Sequence, residues 1–377
     1  MRVLHVLEAI EAGVARHVTD VVGHVDAEHH VLVPPERVGG FTDLAAFEGM
    51  EAAGARVHLQ PMRRSVVDHR NVAAMVAARR LIRRSRPDVV HGHASIGGAI
   101  ARVAATGTSA ARVYTPNSLL PGRAATMAER QLGRLTDGLV AVSATEAELI
   151  ARLRIVPPER ITVIPNGIDL AAPAGGGAGL RSTLGIDPAA PLVGSIGRLA
   201  PQKAPEVFVR ACARIARGVP AARFVLIGDG PLRSLVESEV RGAGLEESFV
   251  LIPGMQRAAA AMAELDVLAL ASRYEAGPYV PLEAMRAGTP VVLTDVVGNR
   301  DTVVDGESGL IVPPDDPDAL AAAALRLLED GTLRERLVEG GRARLAERFD
   351  VRMMAKALGE LYRSVASARR RKSALKG

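Results

Sequence analysis

Two carboxylates eight positions apart, Glu275 and Glu283, flank a turn-rich stretch containing Gly277, Pro278 and Pro281. An apolar run precedes the stretch and helical spacing follows it. The sequence therefore predicts a strand, a tight loop and a helix beginning near Leu282. The amides and dipole of such a helix start form a site for an anion. Glu283 then falls in the first turn, where a carboxylate is also favoured on structural grounds alone, so the pair by itself does not separate a ligand site from helix-start chemistry. A second segment adds to it. In Val193-Gly-Ser-Ile-Gly-Arg-Leu-Ala-Pro-Gln-Lys203, a strand leads through Gly194 and Gly197 to Arg198 and Lys203, five positions apart. A planar guanidinium and a compact ammonium beside such a loop can clamp a diphosphate. The plainer reading is two solvated cations.

Other residues invite a metal reading and argue against it. His91 and His93 are two apart at a strand end with no third ligand nearby in sequence, which fits structural or cleft-lining imidazoles better than a metal centre. His17 follows Gly13 on the first helical segment and faces either a cleft or solvent. No isolated Asp-x-Asp pair ends a strand, and the acidic run 315–318 directly precedes a helix, where N-capping accounts for it. Cations can then stabilise a leaving group where other enzymes use a metal, so neither metal nor cofactor is expected. Cys212, the only cysteine, excludes an intrachain disulfide and reads as a small buried thiol in a helix.

The elements that must position these residues come in two runs. Segments 3–7, 31–33, 57–59, 88–91, 112–115, 138–142 and 161–164 read as strands, with helical patterns such as 71–85 and 144–153 between them. The region 168–191, with Pro173, a glycine cluster and Pro188, has loop chemistry. Strands resume at 192–196, 223–228, 249–252, 267–271, 290–294 and 309–312, and helices are expected at 318–328, 332–346 and 351–366. This βαβ alternation implies two doubly wound α/β domains with parallel sheets, 1–168 and 169–348, followed by a segment 349–377 that ends in a frayed basic tail.

Composition narrows the partners. The net charge is +5, carried mostly by arginine, while aromatics are 3% and tryptophan is absent. A protein with so few stacking rings is a poor match for single-stranded nucleic acid, and an anionic small molecule or membrane surface fits better. Arg79, Arg80, Arg83 and Arg84 are spaced to share one side of a helix, either as a solvated face or as a docking face for anionic lipid or a lipid-linked acceptor. The N-terminus reads as neither signal peptide nor membrane span, which points to a cytoplasmic protein, with association to the cytoplasmic membrane face left open.

Taken in order, the pieces resemble glycosyltransferase family 4, with the GT-B fold. They are Glu11-Ala-Gly13; Asp88-Val-Val-His-Gly-His93; Val142-Ser143; Val163-Ile-Pro-Asn-Gly-Ile-Asp169; Gly197-Arg-Leu with Lys203; Ile227-Gly-Asp-Gly-Pro231; the Glu275/Glu283 segment; Gly298-Asn-Arg-Asp301; and Asp305-Gly-Glu-Ser-Gly-Leu-Ile-Val-Pro313. The resemblance implies a metal-independent, retaining transferase whose two Rossmann-like domains enclose a cleft, with the last helix returning to the first domain. It implies a nucleotide-diphosphate sugar as donor and a hydroxyl of a glycan, lipid-linked or small-molecule acceptor. By the same resemblance Arg198 and Lys203 hold the diphosphate, Glu283 the ribose, and Glu275 with the amides of Gly277, Tyr279 and Val280 the transferred sugar and phosphates. Gly13 lets the first loop approach the phosphates, and Gly254 lies beside the base. Asn117, His17 and His93 fall on the acceptor side.

Three departures stand out. Asn117 replaces a histidine common in the family and cannot be a general base. Pro278 removes an amide from the loop. Ala12-Gly13 replaces two glycines. Two rival readings follow: a nucleotide-sugar epimerase or hydrolase on this fold, and a catalytically silent sugar-nucleotide-binding module. A NAD-dependent oxidoreductase is disfavoured because no G-x-G-x-x-G follows a strand.

Overall fold

A computed structural model describes residues 1–8, 12–35, 44–63, 65, 68–119, 122–172, 179–254 and 258–374. The chain divides into two compact units. Unit 1 is Met1–Gly167 with Val351–Gly377, and unit 2 is Ile168–Asp350.

Unit 1 contains strands β1 (Arg2–Leu7), β2 (Glu28–Val33), β3 (Arg56–Leu59), β4 (Val89–His93), β5 (Ala111–Thr115), β6 (Gly138–Ala141) and β7 (Ile161–Val163). They pair in the order β3-β2-β1-β4-β5-β6-β7. Unit 2 contains β8 (Leu192–Ile196), β9 (Arg223–Ile227), β10 (Phe249–Ile252), β11 (Val267–Leu270), β12 (Val291–Thr294) and β13 (Leu310–Val312), in the order β10-β9-β8-β11-β12-β13. Every pairing in both sheets is parallel. The order reverses between β1 and β4 and again between β8 and β11. At such points the loops leaving the carboxyl ends splay apart, which is where this class of sheet binds ligands.

The strands are nearly continuous Val, Ile and Leu because helices cover both faces. In unit 2, Val193, Phe224, Val267 and Val292 pack on one face, while Leu192, Val225, Leu268 and Leu293 pack on the other. In unit 1 the helix Val351–Ala374 sets Val351, Met354, Leu358 and Tyr362 against Val3, Val89, Val113 and Val140. Apolar residues three and four apart give that helix one buried stripe.

Three expectations need correction. The basic end expected to fray over the last nine residues is instead helical as far as Ala374, because it has partners. Arg369 donates to Thr108 O at 3.3 Å and lies 3.7 Å from Asp137, and Arg370 pairs with Asp88. The arginines of the helix His69–Ser85 do not form one free face: Arg79 turns to donate to Ala104 O at 2.9 Å, leaving Arg80, Arg83 and Arg84 exposed. The helix after β11 spans Tyr279–Ala287, three residues earlier than expected. Pro278 is its N-cap in an extended conformation and Pro281 occupies the first turn, where a missing N–H costs nothing. Glu283 consequently lies in the second turn, beyond the reach of the helix-start argument.

Two local expectations match the structure. Asp316 N-caps the helix Pro317–Glu329, accepting from the amides of Asp318 and Ala319 at 3.0 and 2.9 Å. Cys212 is buried in the helix Pro205–Gly218, and burial pushes its thiol well above the ordinary range. Among the described residues no helix is long and apolar enough to cross a membrane.

Candidate functional site

In unit 2 the loops leaving β8 and β11 meet at the reversal point. Lys203 Nζ lies 2.5 Å from Glu275 Oε1, with Glu275 nearly enclosed (side chain 7% exposed) and Lys203 partly so (22%). The lysine stem runs over Gly197, where a Cβ would sit 3.6 Å from three of its carbons. Arg198 is exposed between them in sequence and has no ion-pair partner among the described residues. The arrangement is one tethered cation and one free cation on a single loop.

Backbone contacts hold that loop in place. Gly197 donates to Ile227 O at 3.0 Å and Leu199 to Asp229 O at 2.9 Å. A Cβ on Gly228 would stand 1.9 Å from Gly197 O, so only glycine lets the β8 and β9 loops touch. Arg273 ties three segments together. Its amide donates to Gln202 O at 2.8 Å, and its guanidinium reaches Pro201 O at 2.9 Å, Glu206 at 2.6 Å and Asp315 at 2.7 Å. These carboxylates hold the guanidinium pKa above its usual value.

The helix Tyr279–Ala287 points its N-terminus along the same loop and has no side-chain cap. Pro278 and Pro281 carry no N–H, so neither adds an amide donor to this segment. The Tyr279 ring itself is in the core with Leu282 and Met285. Glu283 is half-buried on the second turn. Gly298, at a positive φ of 84°, lets its loop rest on Ala276, whose carbonyl oxygen would be 2.4 Å from a Cβ there. Gly254 is exposed just after β10, and among the described residues nothing lies within 4 Å of its Cβ position.

Unit 1 carries a different set. Gly13 lies exposed in the first turn of the helix Ala12–His24, and Glu11 lies outside the described residues. His17 and His93 are both fully buried, with rings 5.5 Å apart. His93 Nε2 is 3.1 Å from His5 Nδ1, and His5 Nε2 is 3.0 Å from His29 Nδ1. His91 meets Tyr362 Oη at 2.6 Å and Thr115 Oγ1 at 2.7 Å. Burial, reinforced by the neighbouring imidazoles, holds His5, His91 and His93 well below their ordinary pKa, and burial brings His17 down to about 4. His5, His91 and His93 offer nitrogens within 4.8 Å of one another, as a metal would need. A cation there would have to displace the hydrogen bonds that already occupy both nitrogens of His5 and of His91, so the network reading is the stronger.

Asn117 follows β5 at a φ of 55°, a conformation asparagine tolerates, and Ser118 follows at 122°. The turn leans on Glu146. This buried carboxylate accepts from Val142 N at 2.8 Å and from the Ser118 amide, and burial raises it to about 7.

Comparison with known proteins decides the family. Residues 12–172 match the model described as Glycosyltransferase Family 4, and residues 180–344 match Glycosyl transferases group 1. A D-inositol 3-phosphate glycosyltransferase of Kineococcus radiotolerans is 33% identical over 312 residues, covering 73% of this chain and 71% of its own. The chain belongs to glycosyltransferase family 4. An alpha-D-kanosaminyltransferase of Streptomyces kanamyceticus is 34% identical over 50% of this chain and 49% of its own. The fold is GT-B: HepE of Anabaena, solved with UDP-glucose, superimposes with a TM-score of 0.80 at 20% identity over 97% of this chain and 100% of that one.

Within this family 4 glycosyltransferase the structure brings Lys203 and Glu275 together in unit 2, and His17 and His93 together in unit 1. Arg273, His5, His29, Asn166 and Glu146 were not singled out by the sequence. A signal existed for two of them: His5 and His91 pair across β1 and β4, and period-2 alternation puts both on the face shared with His93. Asn166 stands in the quoted segment 163–169, and its Oδ1 lies 3.0 Å from His17 Nδ1.

Proposed function

We propose that the chain is a metal-independent, retaining glycosyltransferase that moves a sugar from a nucleoside-diphosphate sugar to a hydroxyl of a small polyol acceptor. The observation that carries this reading is the Lys203–Glu275 pair with Arg198 beside it, at the reversal point of unit 2. The two cations take the diphosphate, joined by the loop amides of Gly277, Tyr279 and Val280. Glu283 accepts from the ribose hydroxyls, Glu275 from the transferred sugar, and Gly254 borders the base. Their combined charge stabilises the diphosphate as the bond to the anomeric carbon breaks.

The acceptor oxygen then bonds to that carbon on the same face, and its proton passes to the departing diphosphate. No protein base is required, which suits Asn117, and Asn117 with His17 and His93 serves the acceptor. The relative that acts on D-inositol 3-phosphate supports a cyclitol acceptor, and HepE bound to UDP-glucose supports a uridine donor. The test is product formation from UDP-glucose with D-inositol 3-phosphate, with and without a chelator. Transfer that persists with the chelator and keeps the anomeric configuration agrees with the reading. Sugar release to water without acceptor points to a hydrolase instead, and no turnover of any donor points to a silent module.

A membrane role has one specific observation in its favour. Arg80, Arg83 and Arg84 share their helix with exposed Val72 and Val76, 60% and 45% accessible. Such a face suits an anionic surface. Sedimentation with anionic but not neutral vesicles, reversed by salt, is the expected outcome.

A further inference from the structure

Two imidazole nitrogens of unit 1, His17 Nε2 and His93 Nδ1, are buried with no hydrogen-bond partner. Each belongs to a ring whose other nitrogen fixes the position of the proton. A carbonyl oxygen can only accept, so His29 Nε2, 2.9 Å from Val25 O, must carry the N–H. A neutral imidazole has one N–H, so His29 Nδ1 accepts and His5 Nε2 donates to it across 3.0 Å. The same step across the His5 ring makes its Nδ1 the acceptor for His93 Nε2–H at 3.1 Å. His93 Nδ1 is therefore a lone pair. On the other side Asn166 Oδ1 accepts from His17 Nδ1 at 3.0 Å, which leaves His17 Nε2 as a second lone pair. Burial keeps these rings neutral, as the chain of donors requires.

We propose that His17 Nε2 and His93 Nδ1 form an acceptor-only subsite that binds adjacent hydroxyls of one polyol, and that His5, His29 and Asn166 are positioning residues that fix its polarity. Two lone pairs call for two O–H donors, which a vicinal diol supplies together. An ammonium group fits poorly, because neither imidazole carries the negative charge that a fully buried cation needs. As weak bases these rings hold a hydroxyl by its hydrogen without removing it. Only the identification of the polyol as the acceptor substrate rests on the glycosyltransferase reading, and the polarity of the subsite stands without it.

The test is long-range proton–nitrogen correlation on the full chain labelled with ¹⁵N-histidine, using myo-inositol as the probe. His5, His29 and His93 are expected in the Nε2–H tautomer and His17 in the Nδ1–H tautomer. Added myo-inositol should shift the bare nitrogens of His17 and His93 and leave the stacked pair His30 and His58 unmoved. His93 found with its proton on Nδ1 overturns the proposal. So do bare nitrogens that already resonate as hydrogen-bonded and ignore myo-inositol, which would identify an internal water as the donor. His93→Leu is expected to raise the acceptor KM roughly three- to tenfold, the size of one neutral hydrogen bond, with the donor KM unchanged. His93→Asn, which keeps an acceptor near Nδ1, should recover most of it. His5→Leu should alter the His93 tautomer; if it does not fold, His29→Gln asks the same question. Expected tautomers and shifts without any transfer activity would sink the glycosyltransferase reading alone, while transfer activity with the wrong tautomers would sink this one alone.

Discussion

All nine histidines of the chain lie in unit 1, and unit 2 has none, although the first six of the seven strands of unit 1 and the six of unit 2 run in the same order about the same kind of reversal point. At that point unit 2 places a tethered lysine, a free arginine and two glutamates. Unit 1 places imidazoles that burial keeps uncharged. The shared topology supplies two equivalent positions, and the side chains decide what each can hold. Charged groups suit a diphosphate with its ribose, and neutral lone pairs suit hydroxyls. The contrast also separates the two units in their response to pH.

Acid should therefore act on unit 1 first, and this is the largest effect expected. A histidine whose folded pKa is depressed binds protons more tightly when unfolded. Its contribution is fully present above about 6.5 and is lost as the pH falls, down to about 4 for His17. For His17 alone that amounts to about 3 kcal/mol, and His5, His91 and His93 act in the same direction. Glu146 runs the other way. Its carboxyl is raised to about 7, so its contribution is complete below 4.5 and lost as the pH rises through 7, which offsets part of the histidine effect. Hydrogen exchange between pH 7 and 5 should show β1 and β4 losing protection while β8 and β11 keep theirs. Equal loss in both sheets would remove the electrostatic half of the comparison.

Next in size is Lys203→Ala. Removing one preorganised cation from a developing negative charge is expected to lower kcat about 10²- to 10³-fold, with little change in acceptor KM. Arg198→Ala should cost less, being exposed, and the double variant should lose less than the product of the single effects, because both charges meet one anion. Purely multiplicative losses in steady-state kinetics would mean that they do not.

The two glutamates give a smaller and more discriminating effect. Glu283→Ala should weaken UDP by about 1.5–3 kcal/mol, the size of a hydrogen bond to a charged group. Glu275 is held against Lys203, so Glu275→Ala removes a competitor for that cation. Calorimetry is expected to show UDP binding unchanged or tighter while transfer falls. A loss of UDP affinity equal to that of Glu283→Ala would contradict this division. The smallest effect belongs to Asn117→Ala, which should reduce turnover less than about tenfold, the scale of a single neutral hydrogen bond. Complete loss of chemistry with donor affinity intact would make Asn117 essential to the reaction.

Most of the frame was legible because buried parallel strands are continuous apolar runs. Each of the thirteen expected strand segments overlaps a strand of the structure. Helix ends were less so. The start at Tyr279 depended on Pro278 and Pro281 tolerating a first turn, and the extension to Ala374 depended on Asp88 and Asp137, which lie far away in sequence. The Lys203–Glu275 pair was visible as two separate segments but not as one ion pair. The histidine network was hidden because its members come from β1, β2, β4, the first helix and the loop after β7. Only the register of the sheet brings positions 5, 29 and 93 to one face, and only carbonyl and amide partners fix their protons.

The central claim is that unit 2 holds the nucleotide through its charged reversal point. Hydrogen exchange of the full chain with and without UDP tests it most directly. The expected result is new protection in residues 197–203 and 272–283, absent in the Lys203→Ala/Arg198→Ala double variant. Protection confined to unit 1, or the same protection in the double variant, would contradict it.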